Sequence, residues 1–136
     1  MTSAPGDLRD PSFRSALMES IAREHGRLDI VVNNAGLCDN GALETPNLSD
    51  VTAILDLNLI AAVDLCRLSA PLLLRQPGSS VINVASIFGL VGSRSPMAGY
   101  DASKGALVQF TRHLAAQRGD RGARVNALAP GFFPTS

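Results

Sequence analysis

Tyr100 and Lys104, in the run Tyr100-Asp101-Ala102-Ser103-Lys104, are the first residues here whose types and spacing suit chemistry. Side chains four apart on a helix share a face, with Cβ atoms about 5–6 Å apart. An ammonium beside a phenol favours the phenolate, which equips a tyrosine for proton transfer near neutral pH. The same spacing also describes an ordinary exposed helix pair, so the pattern needs company. Four other features stand out: Asn33-Asn34-Ala35-Gly36, Asn58, Ser86 and Pro130-Gly131. Each has a plain reading beside a functional one: a turn, a tolerated surface Asn, a cap or loop hydroxyl, and a breaker. An Asn inside a helix competes for backbone hydrogen bonds, so Asn58 invites a functional reason. His25 precedes a helix-ending Gly26, and His113 lies inside a helix with no carboxylate or Cys partner nearby; both read as structural.

The elements that must position these residues follow from pattern. Asp10-Pro11 caps and opens a helix whose apolar stripe is Phe13, Leu17 and Ile21, closed by His25-Gly26. Leu28 to Val32 reads as a strand running straight into Asn33 to Gly36. A second helix begins near Ser49 and passes Asn58 towards Arg75, with Pro71 kinking or ending it. Ser80 to Ala85 is the second strand, with Ser86 at its end. The third helix runs from about Tyr100 to Arg118 on a face of Leu107, Phe110, Thr111 and Leu114, and Arg124 to Leu128 is the third strand. Helix, strand, helix, strand, helix, strand is the rhythm of a parallel α/β sheet. The strands are mostly continuous apolar runs, as in a sheet meant to be covered on both faces. In such sheets ligands gather at the carboxyl ends of the strands, and Asn33–Gly36, Ser86 and Pro130-Gly131 all fall there.

Composition removes several functions. The 136 residues suit one domain, and 46% hydrophobic content supplies a core. Twelve basic and twelve acidic residues cancel, which argues against nucleic-acid and polybasic membrane surfaces. Trp is absent and Tyr occurs once, so stacking platforms for single strands are not expected. Cys38 and Cys66 fit neither a metal-ligand spacing nor a disulfide framework, and read as reduced thiols. No signal peptide or bilayer-length apolar run is visible, so the expected location is cytoplasmic, without membrane partners.

Taken together and in this order, Asn33-Asn34-Ala35-Gly36, Asn58, Ser86, Tyr100-x-x-x-Lys104 and Pro130-Gly131 resemble the short-chain dehydrogenase/reductase family, from about Gly6 to Thr135. Asp7, followed by Leu8, matches the acidic residue ending an earlier strand of that family. The resemblance implies a partial Rossmann-like, doubly wound parallel α/β sheet with three strands and three helices retained. It implies an NAD(P)-dependent oxidoreductase, with NAD or NADP as cofactor, moving a hydride between nicotinamide and a carbonyl or alcohol. Tyr100 would be the general acid or base. Lys104 would lower the tyrosine pKa and bind the nicotinamide ribose, Ser86 would orient the reacting oxygen, and Asn58 would hold a water of a proton relay. For the cofactor, Asp7 and Leu8 would lie by the adenine, and Asn34, Ala35 and Gly36 along the adenosine. Pro130, Gly131 and Phe133 would pass the nicotinamide.

No Gly-x-x-x-Gly-x-Gly turn for the pyrophosphate precedes Asp7, so the chain reads as an internal fragment of the family pattern. Only the fourth to sixth strands of the family order 3-2-1-4-5-6-7 are expected, the fourth becoming an unpaired apolar edge. With right-handed crossovers the three helices share one face of the sheet and leave the other bare. The isolated chain is therefore expected to be marginally stable and to bind dinucleotide poorly. The alternative is a non-catalytic remnant or dimerising module, because in the family the Asn58 and Tyr100 helices commonly form a homo-oligomer interface. A 3-oxoacyl thioester, a sugar or polyol, and a steroid-like alcohol remain open as substrates.

Overall fold

The computed structural model describes residues 2–39, 44 and 47–132. Helix α1 spans Pro11–His25, and Asp10 caps it by accepting from Ser12 N at 2.8 Å. Gly26 closes it in the left-handed conformation (φ 65°) that glycine adopts without penalty. The expected stripe of Phe13, Leu17 and Ile21 is only half-buried. The residue that anchors α1 is Arg14, 5% exposed, whose guanidinium donates to Asp64 Oδ2 and to the Leu8 carbonyl, both at 2.6 Å.

Strands β1 (Ile30–Asn33), β2 (Ser80–Val84) and β3 (Arg124–Leu128) form one parallel sheet in the order β1-β2-β3. β1 starts two residues later than expected and takes in Asn33; β2 stops one residue short of Ala85. Register places Val31, Val81 and Val125 side by side, and alternation puts them on one face. Cys66, Leu73 and Leu114 complete the core there, with Leu28, Phe110 and Ala115 packed around it.

The second expected helix is a composite. Helix α2 spans Leu48–Leu55, a π-helical turn covers Asp56–Ile60, and helix α3 spans Ala61–Leu73. Its cap is Asn47, not Ser49: Ser49 donates its N–H to Asn47 Oδ1 at 3.3 Å. Pro71 falls inside α3, which ends shortly afterwards. Helix α4 spans Ala98–Arg118 and so begins two residues before Tyr100. α3 and α4 lie against the sheet, and α1 joins that layer by packing on α3. The opposite face has no such cover among the described residues, and Ile30, Val32 and Leu128 stand 59%, 55% and 57% exposed on it. β1 is an edge strand, as expected, and β3 is the other. Among the described residues, no helix is long and apolar enough to cross a membrane, and no group of His, Cys, Asp and Glu is placed to hold a metal ion.

Candidate active site

A cavity of about 470 Å³ opens at the carboxyl ends of the three strands. Asn34, Gly36, Leu37 and Cys38 line it from beyond β1, and Val84 to Phe88 from the end of β2. Met97, Tyr100 and Lys104 line it from α4, and Pro130, Gly131 and Phe132 from beyond β3. Parallel strands all deliver their following loops to one edge, which is why segments so distant in sequence meet here.

Lys104 is 4% exposed, and its Nζ donates to the Val84 carbonyl at 2.7 Å while lying 5.5 Å from the Tyr100 ring centroid. Burial pulls its pKa below the ordinary lysine value. Two glycines make this seat possible. A Cβ on Gly36 would lie 3.2 Å from Asn58 Oδ1 and 3.6 Å from Lys104 Nζ, narrowing the cavity where the amine sits. A Cβ on Gly89 would reach within 2.7 Å of the Lys104 carbonyl group, so only glycine lets the 3₁₀ turn Ile87–Gly89 press against α4. Ser86 holds to its reading as a cap. It lines the cavity, and its Oγ accepts from Phe88 N at 3.2 Å as the cap of that turn.

Asn58 is buried within the π-turn. Its Oδ1 accepts from Leu37 N at 2.7 Å, and its Nδ2 donates to Leu37 O at 2.8 Å and to Ser103 Oγ at 2.9 Å. Both amide N–H donors are thus engaged within the protein. The side chain thereby brackets one residue of the loop after β1.

The whole chain, residues 1–136, matches the family described as short chain dehydrogenase. The chain belongs to the short-chain dehydrogenase family. It is 38% identical over 117 residues to a human 3-oxoacyl-[acyl-carrier-protein] reductase, covering 86% of this chain and 49% of that protein. Among solved structures, it resembles the Pseudomonas aeruginosa RhlG/NADP active-site complex with TM-score 0.90 and 32% identity, covering 96% of this chain and 53% of the other. It also resembles the ligand-free aldohexose dehydrogenase of Thermoplasma acidophilum, with TM-score 0.89 and 25% identity, covering 94% of this chain and 49% of the other. The chain spans about half the length of the curated relatives it matches.

In this short-chain dehydrogenase chain the sequence-derived residues divide into groups. Ser86, Tyr100, Lys104, Asn34, Gly36, Pro130 and Gly131 converge on the large cavity. Leu8 and Ala35 line a smaller neighbouring cavity of about 160 Å³ with Val32, Leu57 and Leu65, and Asn34 reaches both. Asp7 lines neither described cavity. Its carboxylate accepts from Arg9 N, Nε and Nη2 at 2.7–3.1 Å, which holds its pKa down at about 2. Phe133 lies outside the described residues; Phe132, beside it, packs edge-on against Phe88 with ring centroids 5.6 Å apart.

Sequence reasoning missed a polar ladder beneath the cavity. Asn33 Nδ2 donates to Asn83 Oδ1 at 2.8 Å, Asn83 Nδ2 donates to Thr111 Oγ1 at 2.9 Å, and Thr111 donates to Leu107 O at 2.7 Å. Thr111 shares the helix face of Leu107, Phe110 and Leu114, yet it acts through its hydroxyl. The available signal was Asn83, an amide set in the middle of an otherwise apolar strand, since buried polar groups need partners.

Proposed function

We propose that this chain carries the proton-transfer half of a hydride-exchange site in an NAD(P)-dependent oxidoreductase working between a carbonyl and an alcohol. The supporting observation is the shared cavity of Ser86, Tyr100 and Lys104, with the buried Lys104 amine beside the Tyr100 ring. In the reducing direction, the Tyr100 hydroxyl gives its proton to the substrate oxygen, and in the oxidising direction the phenolate takes it back. The Ser86 hydroxyl donates a hydrogen bond to the same oxygen and stabilises charge developing there. Lys104, anchored on Val84, places positive charge next to the phenol. A bound nicotinamide supplies or accepts the hydride.

The residues present fit the nicotinamide end of that cofactor. Gly36 leaves open the space beside Lys104, and Asn34, Pro130 and Gly131 complete the walls. Leu8 and Ala35, in the smaller cavity, suit the adenosine end. The rest of the large cavity is apolar, formed by Leu37, Ile87, Phe88, Met97 and Phe132. That lining favours a carbonyl with apolar flanks, such as a 3-oxoacyl chain, over a polyol, which would need further hydrogen-bonding partners. The name of the human relative agrees with this reading. Absorbance assays of NADH and NADPH oxidation, with a 3-oxoacyl thioester and with an aldohexose, test it. Tyr100→Phe is expected to lower turnover by roughly 10²–10⁴-fold, the usual range for a general acid. Turnover equal to the parent's would refute the assignment.

A homo-oligomer built on the Asn58 and Tyr100 helices is a compatible second reading. It draws support from Ile60, 47% exposed at the end of the π-turn. Light scattering that finds only monomer across a concentration series would remove it.

A further inference from the structure

Helix α4 starts without a cap of its own: Met97 precedes it at φ −136°, ψ 43° and offers no capping hydrogen bond from its side chain. The waiting N–H groups are met from the loop after β1. Asp39 Oδ2 accepts from Gly99 N at 2.9 Å, and Asp39 Oδ1 accepts from Tyr100 N at 3.0 Å. A Cβ on Gly99 would sit 3.0 Å from Asp39 Oδ2, so glycine is what lets the carboxylate come this close. Both bonds are charge-assisted, and the carboxylate faces the positive end of the helix dipole.

The other end of the Tyr100 residue is tied to the same loop. Its carbonyl accepts from Ser103 Oγ at 2.7 Å, and that oxygen accepts from Asn58 Nδ2 at 2.9 Å. Asn58 in turn brackets Leu37, two residues before Asp39, through its N–H and C=O. A closed hydrogen-bonded circuit therefore runs from Tyr100 N through Asp39 and Leu37 to Asn58, Ser103 and Tyr100 O. Leu37 and Cys38, inside this circuit, also form part of the cavity wall.

We propose that Asp39 is the positioning residue for Tyr100. It fixes where α4 begins and so sets the phenol relative to Lys104 and the cavity, without touching the reacting atoms. This rests on the proton-transfer reading of Tyr100. The local sequence hides the role, because the cap comes from sixty residues upstream of Gly99.

Asp39→Ala and Asp39→Asn in the full chain test the proposal by amide hydrogen exchange at Gly99 and Tyr100, together with kcat and KM for hydride transfer. Both variants lose the charge, but Asn keeps one acceptor. In the alanine variant, both amides should exchange about tenfold faster or more, and kcat should fall about 10- to 100-fold with KM little changed, as for a misplaced reacting group. In the asparagine variant one amide should stay protected while the other opens, with part of kcat recovered. Exchange at both amides as slow as in the parent, in either variant, overturns the proposal. So does faster exchange with undiminished kcat. If the alanine variant does not fold, the asparagine variant alone decides. A parent chain with no hydride transfer sinks only the functional reading, because the exchange comparison still decides whether Asp39 holds the Tyr100 backbone.

Discussion

Lys104 shows how much one buried side chain can control. Its pKa is lowered by burial, so between that lowered value and the ordinary lysine value of 10.5 the unfolded chain binds more protons than the folded one. Stability should therefore rise with pH across that alkaline window, because deprotonation relieves the cost of burying the charge. Lys104→Met should remove this rise, visible as a flatter curve of denaturation midpoint against pH; an unchanged curve would assign the slope elsewhere. The same variant leaves the Val84 carbonyl without its donor, at a cost of roughly 1–3 kcal/mol. The two thiols offer a simpler contrast. Burial pushes the Cys66 thiol up to about 11, whereas Cys38, raised by partial burial and by the Asp39 and Asp101 carboxylates, stays exposed. Mass spectrometry after iodoacetamide should find Cys38 slowly alkylated in the native chain and Cys66 only after denaturation. At this scale Tyr100, Lys104 and Ser86 were legible from spacing and order. Asp39 and Gly89 were not, since their reasons lie in contacts with a helix distant in sequence.

Helix boundaries show what pattern can and cannot reveal. The Asp10-Pro11 start and Gly26 stop of α1 are written locally, and the structure places them as read. The face by which α1 docks is not written that way, because a buried arginine paired across helices breaks the apolar rule. Burial raises the Asp64 carboxyl pKa, but hydrogen bonds from Arg14 and Arg67 outweigh it and leave it below the ordinary range. The pair's contribution is thus present above the ordinary value of 3.8 and lost as pH falls through the lowered one. Asp64→Ala, which strands the Arg14 guanidinium, should cost about 3–5 kcal/mol in a urea titration. Replacing both partners by apolar residues should cost far less, and equal losses would contradict this account. Gly89→Ala should likewise weaken the seat of α4, read as a lower thermal midpoint, because its Cβ would meet backbone that cannot step aside.

Across the whole molecule, the three-stranded parallel order was legible because each strand is a short apolar run between turns. That the helices would share one face and leave the other bare followed from crossover handedness, and the exposed Ile30, Val32 and Leu128 agree with it. An uncovered apolar face beside an outer strand invites association between chains. Ile30→Thr with Val32→Thr should reduce light scattering on standing while preserving far-ultraviolet circular dichroism; unchanged scattering would place the sticky surface elsewhere.

The π-turn at Asp56–Ile60 works as a phase shifter in the long helix. Each residue of a regular α-helix advances about 100° around its axis. Deleting one residue here would restore the regular hydrogen-bond ladder, and because the wider π-turn already advances less per residue, α3 would turn against α2 by much less than that angle. What would be lost is the bulge that carries Asn58, and with it the side chain's seat on Leu37. The length of this five-residue segment is therefore constrained more tightly than its composition, and insertions or deletions there should be tolerated less well than substitutions of Leu57 or Leu59.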